Sequence, residues 1–118
     1  DGHLYLCDRL SDMVISGGTN IYPAEIENVL LQCPGVQDCA VFGIPDEEFG
    51  ESLAAAVQAL PGMVLTESAV RAYLDQHLAR YKIPRRIDFH DQLPRQDSGK
   101  IFKRELREPF WRGVDRRI

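Results

Sequence analysis

Apolar residues recur along the chain at the two spacings that are typical of helices and strands. The apolar positions between residues 26 and 33 follow an i, i+3, i+4, i+7 pattern behind Pro23, which suits the first position of a helix. A second helical pattern, from Val70 to Leu78, follows Thr66, a suitable N-cap. The pattern therefore predicts two amphipathic helices separated by apolar runs of strand length.

The remaining segments complete an α+β fold. Residues 3–22 predict a small antiparallel hairpin, because the Gly17-Gly18 pair between apolar runs is a turn signal. Strands are predicted over residues 36–44, 52–60 and 86–90, an acidic loop over 45–50, and a short helix over 101–108 that Pro109 ends. We expect a small β-hairpin followed by a compact mixed sheet of about three strands flanked by helices.

Length and composition fit one globular domain. The chain has 118 residues, of which 44% are hydrophobic and 27% charged. No apolar run is long enough to predict a transmembrane segment. The sequence opens without Met, so we interpret it as a piece of a longer protein, with residues 109–118 as a flexible tail.

Charge is distributed unevenly, which predicts an anionic partner. Residues 1–80 carry three basic side chains against twelve acidic ones, whereas residues 81–118 carry eleven against six. Nucleotide phosphate, pyrophosphate, a coenzyme or nucleic acid would suit the basic end, but the acidic remainder would repel nucleic acid. The three cysteines form no CxxC pair, which favours reduced structural thiols and a cytoplasmic location.

Three short features could carry chemistry. Lys100 follows Gly99 in a polar loop that lacks the spacing of a Walker A motif, and it could bring a positive charge to an anion. Arg9 could form a local ion pair or bind a phosphate, and the Ser16-Gly17-Gly18 turn could be a plain hairpin turn or a site of close ligand approach. The histidines have no metal-ligand spacing, so no metal site is predicted.

Two long motifs resemble the C-terminal domain of the adenylate-forming superfamily, which includes acyl- and aryl-CoA synthetases, luciferases and peptide-synthetase adenylation domains. Residues 8–27 read Asp-Arg-x-x-Asp-Met-Val-Ile-Ser-Gly-Gly-Thr-Asn-Ile-Tyr-Pro-Ala-Glu-Ile-Glu, and residues 93–106 read Leu-Pro-x-x-x-x-Gly-Lys-x-x-Lys-Arg-x-Leu. Pro34-Gly35-Val36, Ala40-Val41-x-Gly43 and Pro45-Asp46 match between them. The resemblance extends from residue 1 to about residue 108 and is specific, because both motifs agree at once.

The resemblance implies that a large N-terminal domain, absent here, binds ATP with Mg²⁺ and the carboxylic acid. This small domain would close on it in two orientations. In the first, Lys100 would act as the catalytic lysine of acyl-adenylate formation, and Arg9 would contact the nucleotide. Ser11 and Asp12 match the hinge, although Ser11 stands where the family usually has Asp or Lys.

In the second orientation, Ser16, Gly17 and Gly18 would line the pantetheine tunnel of coenzyme A. Sequence stretches in some relatives hold the nucleotide of the coenzyme, and four residues here resemble them: Phe49, Tyr81, Lys82 and Arg85. The alternative is that Phe49 and Tyr81 are ordinary boundary aromatics.

The resemblance implies an ATP-dependent acyl-CoA synthetase that activates a carboxylic acid, with a fatty acid favoured because such members are numerous. The alternatives are an aryl-acid CoA ligase, another adenylate-forming enzyme, or a stand-alone nucleotide-binding module without catalysis. Residues 15–23 differ from the usual first signature of peptide synthetases. The isolated chain is expected to be inactive, and a lysine acetyltransferase acting on Lys100 is a possible regulatory partner, since acetylation removes the charge.

Overall fold

The computed structural model of the protein describes residues 13–112. Its elements, in chain order, are β1 Val14–Ser16, β2 Thr19–Ile21, α1 Pro23–Leu31, β3 Val36–Asp46, β4 Gly50–Ala59, α2 Glu67–His77, a 3-10 turn Arg80–Lys82, β5 Arg86–His90 and α3 Lys103–Trp111. Four predictions lie outside the described residues: the part of the hairpin before residue 13, Arg9, the hinge pair Ser11 and Asp12, and the end of the tail beyond residue 112.

The strands form a two-stranded hairpin and a three-stranded mixed sheet, as predicted. β1 and β2 pair antiparallel, and the turn between them places Gly17 and Gly18 at φ 58° and 86°, a region that glycine enters without steric cost. In the larger sheet the order is β3-β4-β5, with β3 antiparallel and β5 parallel to β4. The α+β prediction is therefore confirmed.

Both faces of the larger sheet are covered, because neighbouring residues of a strand point to opposite sides. Val41 belongs to a core that also contains Ile26 of α1 and Leu74 of α2. Phe42, the next residue, belongs to a second core that contains Leu106 of α3. The helices α1 and α2 thus lie on one face, and α3 lies on the other.

Glu27 ties these two layers together around the edge of the sheet. Its carboxylate accepts a 2.8 Å hydrogen bond from the amide of Val41 on the edge strand β3, and it also forms a 2.8 Å ion pair with Lys103, the first residue of α3. The hydrogen bond satisfies a backbone amide on the edge strand, and the ion pair holds the first residue of α3 in place. One residue of each family-like motif therefore has a structural role in this pair.

Two sequence predictions about segment ends are wrong. The acidic loop over residues 45–50 is a three-residue turn, because Asp46 at the end of β3 pairs with Gly50 at the start of β4. The last helix does not end before Pro109 but continues to Trp111. Proline removes one helical hydrogen bond, yet Trp111 is buried and its indole N–H donates to the carbonyl of Gly43 at 2.9 Å, which anchors the final turn to the sheet.

Within residues 13–112, no helix has the length and apolar composition needed to cross a membrane.

Candidate functional site

A cavity of about 280 Å³ lies where the β1–β2 turn meets the β3–β4 turn and the 3-10 turn, and we call it the hairpin cavity. Five residues that the sequence singled out line it: Ser16, Gly17, Phe49, Tyr81 and Arg85. The sequence analysis did not select the other five: Thr19, Ile21, Ser52, Leu53 and Ile83. Three segments that are far apart in the sequence thus share one wall.

Gly17 and Phe49 form the closest contact of this wall. The amide of Gly17 donates a 2.9 Å hydrogen bond to the carbonyl of Phe49. A Cβ atom on Gly17 would lie 3.1 Å from Cδ1 of the Phe49 ring, closer than side-chain carbons normally approach. Both the left-handed backbone and the aromatic neighbour therefore favour glycine at this position.

Arg85 places a positive charge over the same aromatic ring. Its guanidinium carbon lies 4.7 Å from the centroid of the Phe49 ring, a cation–π distance. The backbone amide of Arg85 donates to the carbonyl of Leu53 at 2.9 Å, which fixes the position of the residue beside β4. The guanidinium also forms a 3.6 Å ion pair with Asp46, yet the side chain is 56% exposed, so its charge stays accessible to an anionic ligand at the mouth of the cavity.

Asp46 organises the turn that carries Phe49. Its Oδ1 accepts hydrogen bonds from the amides of Glu48 at 2.8 Å and Phe49 at 2.9 Å. The Phe49 hydrogen bond is the main cause that lowers the pKa of Asp46 below its ordinary value; burial opposes it, while the Glu48 amide, the Arg85 charge and the Ser52 hydroxyl add to it. The sequence offered Pro45-Asp46 as a match to the family, but without a role.

The other residues predicted to contact coenzyme A are placed differently. Tyr81 is 57% exposed at the rim of the cavity. Lys82 does not line the cavity: its ammonium binds both carboxylate oxygens of Glu25, at 2.8 and 3.1 Å, and this hydrogen bond raises the pKa of Lys82. Gly18 is exposed and also does not line it. The structure therefore gathers five of the seven residues predicted for coenzyme A.

Lys100 lies on a separate hairpin-like loop. The amide of Gln96 donates to the carbonyl of Lys100 at 2.8 Å, and the amide of Phe102 donates to that of Pro94 at 2.7 Å. Ile101 is half-buried against the core next to α3, whereas Lys100 is exposed. Ile101 therefore attaches the loop to the domain, and Lys100 lies on its exposed part.

The Lys100 loop and the hairpin cavity lie near opposite ends of β3. The loop is tied to Asp38 through an ion pair with Arg95, whereas Asp46 at the other end supports the cavity wall. Eight residue steps separate these two aspartates, roughly 26 Å of strand at about 3.3 Å per residue. The two candidate regions therefore present different parts of the domain.

Arg9, Ser11 and Asp12 lie outside the described residues. In the part of the chain that the structure describes, no three potential metal ligands come together.

Comparison with known proteins identifies a matching family model and related ligases. Residues 25–100 match the family model described as the AMP-binding enzyme C-terminal domain. Over 110 residues the chain is 47% identical to the long-chain-fatty-acid–CoA ligase FadD13 of Mycobacterium tuberculosis and 48% identical to a feruloyl-CoA synthase of Amycolatopsis. Each match covers 93% of this chain and 22% of the relative, so the chain spans about a fifth of these proteins.

A solved structure has the same fold. The Mycobacterium tuberculosis fatty acyl CoA synthetase superimposes with a TM-score of 0.79 at 49% identity. The superposition covers 86% of this chain and 20% of that one.

Proposed function

Because the chain belongs to the AMP-binding enzyme C-terminal domain family, we propose that it is the C-terminal domain of an ATP-dependent acid–CoA ligase. In the first half-reaction a carboxylate attacks the α-phosphorus of ATP, which gives acyl-adenylate and pyrophosphate. In the second, the thiol of coenzyme A attacks the acyl carbon, which gives the thioester and AMP. The small domain serves each half-reaction with a different part of its surface.

The observation that carries this proposal is that the two candidate regions are attached near opposite ends of β3. Asp38, which holds the Lys100 loop through Arg95, and Asp46, which supports the cavity wall, are roughly 26 Å apart along the strand. A single position of the domain would not bring both regions to one reaction centre in the N-terminal domain. Rotation between two positions would, and Ser11 with Asp12 is the proposed hinge.

Lys100 is proposed to act in the adenylate-forming step. Lys100 is an exposed residue on a loop held by backbone hydrogen bonds, so it can enter a site formed by another domain. Between a carboxylate and the α-phosphate it would offset their repulsion and the charge that develops as they react. Arg9 is proposed to contact the nucleotide in the same orientation, and Mg²⁺ to be held by the N-terminal domain.

The hairpin cavity is proposed to receive coenzyme A in the thioester-forming step. Ser16 and Gly17 offer a wall with little side-chain bulk, which fits the thin pantetheine arm. Phe49 and Tyr81 offer aromatic faces for the adenine, and the accessible charge of Arg85 suits its phosphates. Gly18 stays a prediction, and Lys82 would have to leave Glu25 to contact the coenzyme.

The acid is proposed to be a fatty acid, with an aryl acid as the second candidate. The identities of 47% to a fatty-acid ligase and 48% to a feruloyl-CoA synthase favour neither. Acetylation of Lys100 by a lysine acetyltransferase is proposed to stop adenylation, since it removes the charge. A cytoplasmic location also stays a prediction.

The test compares Lys100→Ala with wild type in the full-length enzyme and measures the two half-reactions separately. We expect adenylate formation to fall by about a hundredfold or more, because a charge aimed at the reacting centre is lost. Thioester formation from supplied acyl-adenylate and coenzyme A should stay within about twofold. Arg104→Ala, which removes a nearby exposed cation on α3, is the matched control. Survival of both half-reactions in Lys100→Ala would favour the non-catalytic binding module.

A further inference from the structure

The guanidinium of Arg95 links the Lys100 loop to the sheet. Its Nη1 donates to the carbonyl oxygen of Gly99 at 3.0 Å, and its Nη2 forms an ion pair with Oδ2 of Asp38 on β3. Because the guanidinium is planar and rigid, the two contacts fix each other's direction. Gly99 lies directly before Lys100, so one end of this link is at the backbone of the proposed catalytic residue.

Both peptide groups that flank Lys100 are held by hydrogen bonds. A peptide group is planar, so fixing its oxygen fixes the orientation of the whole unit. Arg95 holds the carbonyl of the Gly99–Lys100 peptide, and the amide of Gln96 holds the carbonyl of the Lys100–Ile101 peptide at 2.8 Å. Together they restrict the two backbone dihedrals of Lys100 and hence the direction in which its side chain leaves the loop.

Asp38 is a firm anchor for this link. It lies in β3, and its Oδ1 accepts a 2.9 Å hydrogen bond from the amide of Cys39, which leaves Oδ2 for Arg95. The loop is also fixed at its start, where the buried Leu93 donates its amide to Oε1 of Gln58 at 3.1 Å. The contacts of Leu93 hold the loop to the sheet, whereas the Arg95 contact acts next to Lys100.

We propose that Arg95 is a positioning residue for Lys100 in adenylate formation, with Asp38 as its anchor. The inference rests on the proposed function of Lys100. A lysine that is delivered to another domain must arrive in one conformation, because a small misplacement costs a large part of the rate. Arg95 provides that conformation without itself touching the substrate.

The experiment uses the full-length enzyme and the same two half-reaction assays. In Arg95→Met we expect the rate of adenylate formation to fall between about tenfold and a hundredfold, with thioester formation within about twofold of wild type. Asp38→Asn should cause a smaller loss in the same half-reaction, and Arg95→Lys an intermediate one, because an ammonium lacks the planar fork that reaches both partners. Arg86→Met breaks a comparable exposed ion pair, with Asp88, and should change neither half-reaction.

The double variant separates positioning from a general structural effect. If Arg95 acts through Lys100, then Arg95→Met added to Lys100→Ala should slow adenylation no further than Lys100→Ala alone. A further loss of tenfold, or an equal loss in both half-reactions, would overturn the inference. Thermal unfolding of each variant checks that the domain stays folded. If Arg95→Met does not fold, Arg95→Lys provides the second test.

The outcomes also separate this inference from the function on which it rests. If Lys100→Ala leaves adenylation intact, the proposed function fails and the positioning role of Arg95 fails with it. If Lys100→Ala abolishes adenylation while Arg95→Met and Asp38→Asn match wild type, only the positioning role is wrong.

Discussion

The amide of Gly17 donates a 2.9 Å hydrogen bond to the carbonyl of Phe49, and Cδ1 of the Phe49 ring lies 3.1 Å from the position that a Cβ on Gly17 would take. This contact joins the β1–β2 turn to the β3–β4 turn. Through it, Gly17 and the aromatic ring of Phe49 lie in one wall of the hairpin cavity. Any side chain at position 17 would therefore change the shape of that wall.

Gly17→Ala and Gly18→Ala form a matched pair that tests this wall. Both glycines have positive φ, so each alanine should cost about 1–2 kcal/mol of backbone strain. Only at Gly17 would the new methyl group meet Phe49, at 3.1 Å, whereas nothing lies within 4 Å of a Cβ at Gly18. In the full-length enzyme we expect Gly17→Ala to slow thioester formation by about tenfold relative to Gly18→Ala, with adenylation equal in both.

Gly17→Trp should block the thioester step. Equal loss of both half-reactions would contradict the role in the cavity.

We expect the ionised carboxylate of Asp46 to make the stability of the folded chain depend on pH in the acid range. Its pKa is lower in the folded chain than in the unfolded chain, mainly because the amide of Phe49 binds the carboxylate. Its stabilising effect is therefore complete above the unfolded pKa of about 3.9 and is lost as the pH falls through the lower folded value. Asp46→Asn should reduce the urea midpoint of the 118-residue chain near pH 6, and the difference from wild type should shrink as the pH falls below about 4.

Asp97→Asn, which removes one exposed carboxylate on another loop, controls for the change in net charge. A midpoint difference between Asp46→Asn and wild type that stays constant from pH 6 to the acid limit would contradict the prediction.

We expect the last turn of α3, which carries the buried Trp111, to contribute to the stability of the domain. Trp111→Ala should lower the free energy of unfolding by about 3–5 kcal/mol, because a large buried side chain is removed. Trp111→Phe keeps much of the packing but leaves the buried carbonyl of Gly43 without its indole donor, which should cost about 1–3 kcal/mol. Urea unfolding followed by circular dichroism gives both values. The neighbouring exposed Arg112→Ala should stay within about 0.5 kcal/mol of wild type; a similar result for Trp111→Ala would mean that the turn is frayed.

Local signals predicted the elements of the fold well. Thr66 caps α2, and its hydroxyl accepts the amide of Ala69 at 3.2 Å, as its position before an apolar pattern suggested. Pro109 led to a wrong helix end, because the local rule does not include the burial of Trp111 against Gly43. The parallel pairing of β5 with β4 also could not be predicted from the pattern. The spacing of apolar residues predicts a strand, but it does not specify which other strand pairs with it.

The candidate site was likewise predicted in part by the sequence and in part decided by the fold. The family resemblance selected Gly17, Phe49 and Arg85, and these three line the hairpin cavity. The matching stretches did not separate residues that face the cavity from Lys82, which binds Glu25 instead. Nor did they reveal the supporting contact of Asp46, because a hydrogen bond to a turn depends on how the chain folds back at that turn.

By itself, the sequence determined the order of helices and strands, the glycine turn and the two motifs that identify the family, because each depends on neighbouring residues or on residue types at fixed spacing. Only the tertiary structure decided which of those residues share a wall, which residues support them, and that the Lys100 loop and the cavity lie near opposite ends of β3. The ion pairs of Arg95 with Asp38 and of Lys82 with Glu25 each join residues 57 positions apart. Such pairs form because the packed sheet and helices bring distant segments together, and no local pattern of charge encodes that distance.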